Sequence, residues 1–192
     1  MDLTSQILGI ISLKEIFYLL ILTLVIAYIF MGDVRLRPRN VYDMMYPRRF
    51  FWKEFQFAAL IAAPGIILHE LGHKFIAIGF GYSASFFIWP FGLFLGAFLK
   101  IIGSPFVLIA PGYVGLSSVS NDLHYRLIAF AGPLINLIIF GICWFILKKY
   151  GTKLNFKNLA LISLTKKING VLFIFNMLPI PPLDGSKVLF GL

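Results

Sequence analysis

Cysteine is nearly absent: the 192-residue chain has one, Cys143, inside an apolar run. Neither an intrachain disulfide framework nor a cysteine-rich zinc site can be built from it. Charge is scarce as well. Charged residues make up 13% of the chain, against about 25% in a soluble domain, and hydrophobic residues 59%, against about 45–50%. That balance fits neither a water-soluble globule nor a disordered chain. Acidic residues are the rarer sign, 8 against 17 Lys and Arg, which leaves a formal charge of +9. The basic residues sit in short segments between long apolar runs. They read as membrane-flanking charge that sets orientation and meets anionic lipid, not as a nucleic-acid surface. A removable signal peptide is not expected, because Met1-Asp2-Leu3-Thr4 has no basic region and Lys14-Glu15 interrupt the first apolar residues.

What is abundant is hydrophobic length. Residues 16–31 form an uncharged run that, with a few residues before it, approaches the ~20 needed to cross a bilayer. A polar connector follows, with Arg35, Arg37, Arg39, Arg48, Arg49 and Lys53. Residues 55–78 are the second apolar stretch, 127–147 a third without a charge, and 168–183 a fourth, preceded by a basic segment at 148–167. The expected fold is an all-α polytopic membrane protein with about four transmembrane helices, integral to the cell membrane. Residues 1–54 are expected to form an N-terminal helix and basic connector, and residues 55–192 the core.

The apolar stretch 83–120 is rich in Gly, Pro and aromatics. Residues 86–99 suit a short buried helix, although Trp89-Pro90 and three glycines disfavour a lipid-facing one. Residues 106–110 read as a short strand stopped by Pro111-Gly112. If this stretch returns to its own side, both basic connectors share one side of the membrane, as the charge bias requires. A re-entrant segment or small β-hairpin between the second and third spans is therefore expected.

Inside the second run stands His69-Glu70-Leu71-Gly72-His73. Residues four apart share a helix face, so both histidines can reach one metal ion, and neutral imidazole suits zinc. Glu70 projects close by, where it can take a proton from water at the metal. Two imidazoles and a carboxylate at hydrocarbon depth cost several kcal/mol unless paired, so they read as functional.

A catalytic zinc needs a third protein ligand. Asp2, Glu15, Asp33, Asp43 and Glu54 precede the second span and are expected at its far end or beyond. Asp184, Asp122 and His124 remain. Asp122 and His124 fit helix-start chemistry before the third span. Asp184 is favoured by depth. His69 follows Glu54 by 15 residues, roughly 22 Å of helix, and Asp184 follows Lys167 by 17, roughly 25 Å. Asn176 can donate to an oxyanion or a substrate carbonyl, or can bond a neighbouring helix. Asn136, in Ala131-Gly132-Pro133-Leu134-Ile135-Asn136, reads as packing glue beside small residues.

Three stretches together resemble the site-2 protease family of intramembrane zinc metalloproteases. They are His69-Glu70-Leu71-Gly72-His73 on a hydrophobic helix, Ala131-Gly132-Pro133-Leu134 opening the next clear span, and Asn176-Met177-Leu178-Pro179-Ile180-Pro181-Pro182-Leu183-Asp184-Gly185. Their order and spacing match the family's three-helix core over residues 55–192. The resemblance implies one Zn2+ per chain on His69, His73 and Asp184, with Glu70 as the catalytic carboxylate. Asn176 falls on the family's asparagine upstream of the aspartate. It further implies regulated intramembrane proteolysis of membrane-anchored protein substrates in the lipid bilayer, with no nucleic-acid partner. A zinc protease of the type that trims prenylated C-termini needs a downstream glutamate, and no glutamate follows Glu70. The rival of another class is a non-catalytic membrane metal-binding or zinc-transport protein. Intact Glu70 weighs against that rival.

Overall fold

Four helices long and apolar enough to cross a membrane dominate the computed structural model, which describes residues 11–31, 52–104, 112–116 and 119–191. Helix α1 (Leu13–Phe30) starts at a capping box: Ser12 Oγ accepts from Glu15 N, and Glu15 Oε2 accepts from Ser12 N. Helix α2 (Trp52–Gly79) follows. Strand β1 (Ala84–Ile88), helix α3 (Pro90–Ile101) and strand β2 (Gly112–Leu116) form the segment between the second and third spans. Helix α4 (Asp122–Tyr150) is N-capped by Asn121, whose side chain accepts from His124 N, and closes on a 3-10 turn at Gly151–Lys153. Helix α5 (Phe156–Asn176) and the short helix α6 (Asp184–Phe190) complete the order.

The contacts fix the helix directions. Glu15 near the start of α1 meets Lys74 near the end of α2, while Phe30 packs on Phe57, Ala58 and Ile61, so α1 and α2 are antiparallel. His69 meets Asn136 and His73 meets Ile128, so α4 is also antiparallel to α2. Leu161 and Leu164 join the cluster of Phe57 and Ile61, and Leu172 joins that of Ala62 and Ile66, so α5 runs parallel to α2. The starts of α2 and α5 thus share one end of the bundle. At the other end the chain returns through a two-stranded antiparallel sheet, Ala84 opposite Leu116 and Ile88 opposite Gly112. The outward faces of the long helices carry Leu20, Leu24, Leu60, Ile138, Ile142 and Ile174, as contact with hydrocarbon requires.

Several expectations are corrected. Residues 86–99 are not one buried helix: 86–88 are strand, and the helix begins at Pro90. A residue before proline is pushed to extended geometry, and proline suits the first helical position. Nor is α3 buried, since Phe91, Phe94 and Phe98 turn one aromatic face outward and only Gly92, Leu93 and Gly96 are covered. The strand expected at 106–110 lies outside the described residues. The fourth span begins at Phe156, not at 168, because Asn155 caps it by accepting from Asn158 N at 2.8 Å. Lys157, Lys166 and Lys167 ride on the helix, where their aliphatic stems let the ammonium reach water. Lys167 therefore marks no helix end, and the depth argument for Asp184 fails on that point. Glu15 is not at the far end of the second span, because antiparallel α1 brings it alongside the residue after His73.

Candidate metal centre

Helix α2 places His69 and His73 one turn apart on one face, with their rings edge to face at 4.7 Å between centroids. The third group arrives from the other end of the core. Helix α5 stops at Asn176, the chain turns through the prolines, and Asp184 stands in the first turn of α6. Its Oδ2 lies 3.1 Å from both His69 Nε2 and His73 Nε2, which are themselves 3.1 Å apart. A tetrahedral zinc with ligands at ~2.0–2.1 Å separates them by roughly 3.3–3.4 Å. The triangle thus has the size of one face of such a site. Two imidazole nitrogens and one carboxylate oxygen are also the donor types zinc takes. Among the described residues these three form the candidate metal-holding group.

The outer faces of both rings are engaged. His73 Nδ1 donates to the carbonyl of Ile128 at 2.7 Å. A carbonyl only accepts, so the proton of the neutral ring is on Nδ1 and the Nε2 lone pair faces Asp184. His69 Nδ1 lies 3.0 Å from Asn136 Nδ2. Helix α4 can come this close because of Gly132, where a Cβ would lie 2.3 Å from His73 Nε2 and 2.8 Å from His69 Cε1. Ile128, Gly132 and Asn136 are spaced by four and form one stripe against the two histidines.

Asp184 is held from two sides. Gly185 packs so closely that a Cβ there would lie 2.4 Å from the Met177 carbonyl. Arg126, paired with Asp122 at 2.8 Å, donates from Nη1 to the carbonyls of Val188 and Leu189 near the end of α6. A seven-residue helix is marginal alone, so this grip from α4 helps fix where its first residue stands. Lys187 Nζ lies 3.4 Å from Asp184 Oδ1, on the side away from the imidazoles.

His69, Glu70 and His73 are each 6% exposed, and all three open with Asp184 onto one cavity of about 360 Å3. Asn176 lines the same cavity, as do Tyr113 and Val114 of β2. The five singled-out residues thus share one space. Asp122 and His124 are elsewhere: Asp122 binds Arg126, while His124 stacks on Phe80 at 4.2 Å and meets Tyr82 Oη at 3.0 Å. Sequence reasoning read Asn136 as packing glue, not as a neighbour of the histidines, and passed over Arg126 and Lys187. The i,i+4 spacing of Asn136 behind Gly132 was the available signal for the first, but nothing in the sequence tells which helix that stripe faces.

No protein-family profile and no solved structure matches the chain. Among curated proteins, it is 36% identical over 184 residues to "Putative zinc metalloprotease MJ0611" of Methanocaldococcus jannaschii, an alignment covering 93% of this chain and 84% of the relative. It is 30% identical over 140 residues to "Putative zinc metalloprotease YwhC" of Bacillus subtilis, covering 64% of this chain and 62% of that one.

Proposed function

Because the chain belongs to the site-2 protease-like family of zinc metalloproteases, we propose that it hydrolyses peptide bonds of membrane-anchored proteins within or at the edge of the bilayer. The observation that carries this reading is the convergence of His69, His73 and Asp184 beside Glu70, on a helix apolar enough to span a membrane. In this reading residues 55–192 form the protease core, and residues 1–54 contribute a helix joined to it through Glu15 and Lys74.

His69, His73 and Asp184 hold one zinc ion per chain, which when bound supplies the Lewis acidity that activates water near neutral pH and polarises a carbonyl. Glu70, one residue from a ligand and in the same cavity, takes the proton of the attacking water and returns it to the leaving nitrogen. Asn176 offers an amide donor to the carbonyl oxygen as charge develops there. Polar side chains in the otherwise largely apolar cavity wall, Glu70, Asn176 and Lys187 among them, give water a foothold at a site that lipid would otherwise keep dry. A helical substrate hides its carbonyls in internal hydrogen bonds, so it must extend before cleavage. Strand β2 lines the cavity and can hold an extended segment by strand addition. The outer edge of β1 is already used, since Phe86 N donates to Glu15 Oε1 at 2.7 Å.

The test is cleavage of a single-span model substrate by purified wild type and Glu70→Gln, with zinc measured in both. Wild type cleaves, and Glu70→Gln loses at least about 10²–10⁴-fold in rate with zinc retained. A fully active Glu70→Gln variant would overturn the mechanism.

A further inference from the structure

Asn136 is fully buried, its Nδ2 lies 3.0 Å from His69 Nδ1, and its Oδ1 has no hydrogen-bond partner. If His69 offers Nε2 to a metal, the proton of its neutral ring must be on Nδ1. A proton there needs an acceptor, and an amide NH2 is none. A half-turn of the Asn136 carboxamide exchanges nitrogen and oxygen within the same outline. It puts the partnerless oxygen against Nδ1. The NH2 then takes the former place of the oxygen.

The neighbouring histidine already has this pattern: His73 Nδ1 donates to the Ile128 carbonyl, one turn of α4 before Gly132 and two before Asn136. Both outer acceptors thus come from one stripe of one helix. The backbone serves His73, and a side chain must serve His69.

We infer that Asn136 is the positioning residue of His69: its amide oxygen accepts the Nδ1 proton, fixing the tautomer and the ring rotation that aim Nε2 at the metal. The inference rests on the metal reading proposed above. It differs from a packing role, for which an apolar side chain of the same size would serve equally well.

Zinc affinity of the full chain in detergent, measured by chelator competition, separates the two. Asn136→Asp keeps an acceptor oxygen in nearly the same shape; Asn136→Leu keeps the volume and loses the acceptor. Asn136→Asp is expected to bind zinc at least as tightly as wild type, and Asn136→Leu about 10–100-fold more weakly. Equal affinity of Asn136→Leu and wild type would overturn the assignment. Nitrogen-15 histidine spectra of zinc-loaded wild type add a reading that does not depend on a variant folding. The His69 proton is expected on Nδ1, and a proton on Nε2 would overturn the assignment. A wild type that binds no zinc would remove the metal reading and this inference with it. A wild type that binds zinc no better than Asn136→Leu would remove the Asn136 role alone.

Discussion

Lys74 Nζ donates to Glu15 Oε1 across 59 residues of sequence, one position beyond His73. The same carboxylate accepts from Ser12 N and Phe86 N, so one side chain joins the start of α1, helix α2 and strand β1. Lys74 is 3% exposed. Removing one partner leaves a buried charge, at a cost of about 3–5 kcal/mol, whereas removing both is often near neutral. Glu15→Gln and Lys74→Met are each expected to destabilise the protein, and the double variant to be destabilised by less than the sum. Denaturant unfolding in micelles measures this; strict additivity would show that the pair is not coupled.

Asp184 is the carboxylate member of the 3.1 Å triangle. Asp184→Ala is expected to weaken zinc binding by more than the roughly 10–100-fold that loss of an outer-shell partner costs. Metal analysis after dialysis against a chelator reads the outcome. Unchanged zinc content would mean that another group completes the site.

A methyl group at Gly132 would occupy the space of the His73 ring, whereas one at Gly141, on the same helix, would meet nothing within 4 Å. Gly132→Ala is therefore expected to abolish zinc retention and cleavage with the helices intact by circular dichroism. Gly141→Ala is expected to keep both and to gain up to about 1 kcal/mol in helix stability. Equal zinc content in the two variants would contradict the close approach of α4.

The antiparallel order of α2 and α4 places the starts of α2 and α5 at one end of the bundle and the start of α4 at the other. Lys53 and Lys153 are exposed at the first end and Ser120 at the second. In a Cys143→Ala background, cysteines at 53 and 153 are expected to react with a membrane-impermeant thiol reagent from the same side, and a cysteine at 120 from the opposite side. Labelling of 53 and 153 from opposite sides would refute the hairpin return.

The sequence by itself determined the membrane setting, the number of spans and the helical pair of histidines with their carboxylate neighbour. Each rests on local physics. Hydrophobic length, scarcity of charge and a four-residue repeat need no knowledge of what packs against them. The turn back between the second and third spans was also legible, because charge parity constrains the path of the chain.

Tertiary structure decided the rest. The start of α5 escaped detection because lysines on a helix reach water by their stems, so basic residues do not mark where a helix ends. Glu15 was misplaced because only the antiparallel packing of α1 shows that it neighbours the site. Asn136 looked like packing glue because its chemistry lies wholly in its distance to His69, and that distance depends on a glycine allowing two helices to touch. Asp184 was named from a short list of carboxylates, but the geometry that aims it comes from Gly185 against Met177 and Arg126 on the end of α6. Such contacts join residues far apart in the chain, and no local pattern encodes them.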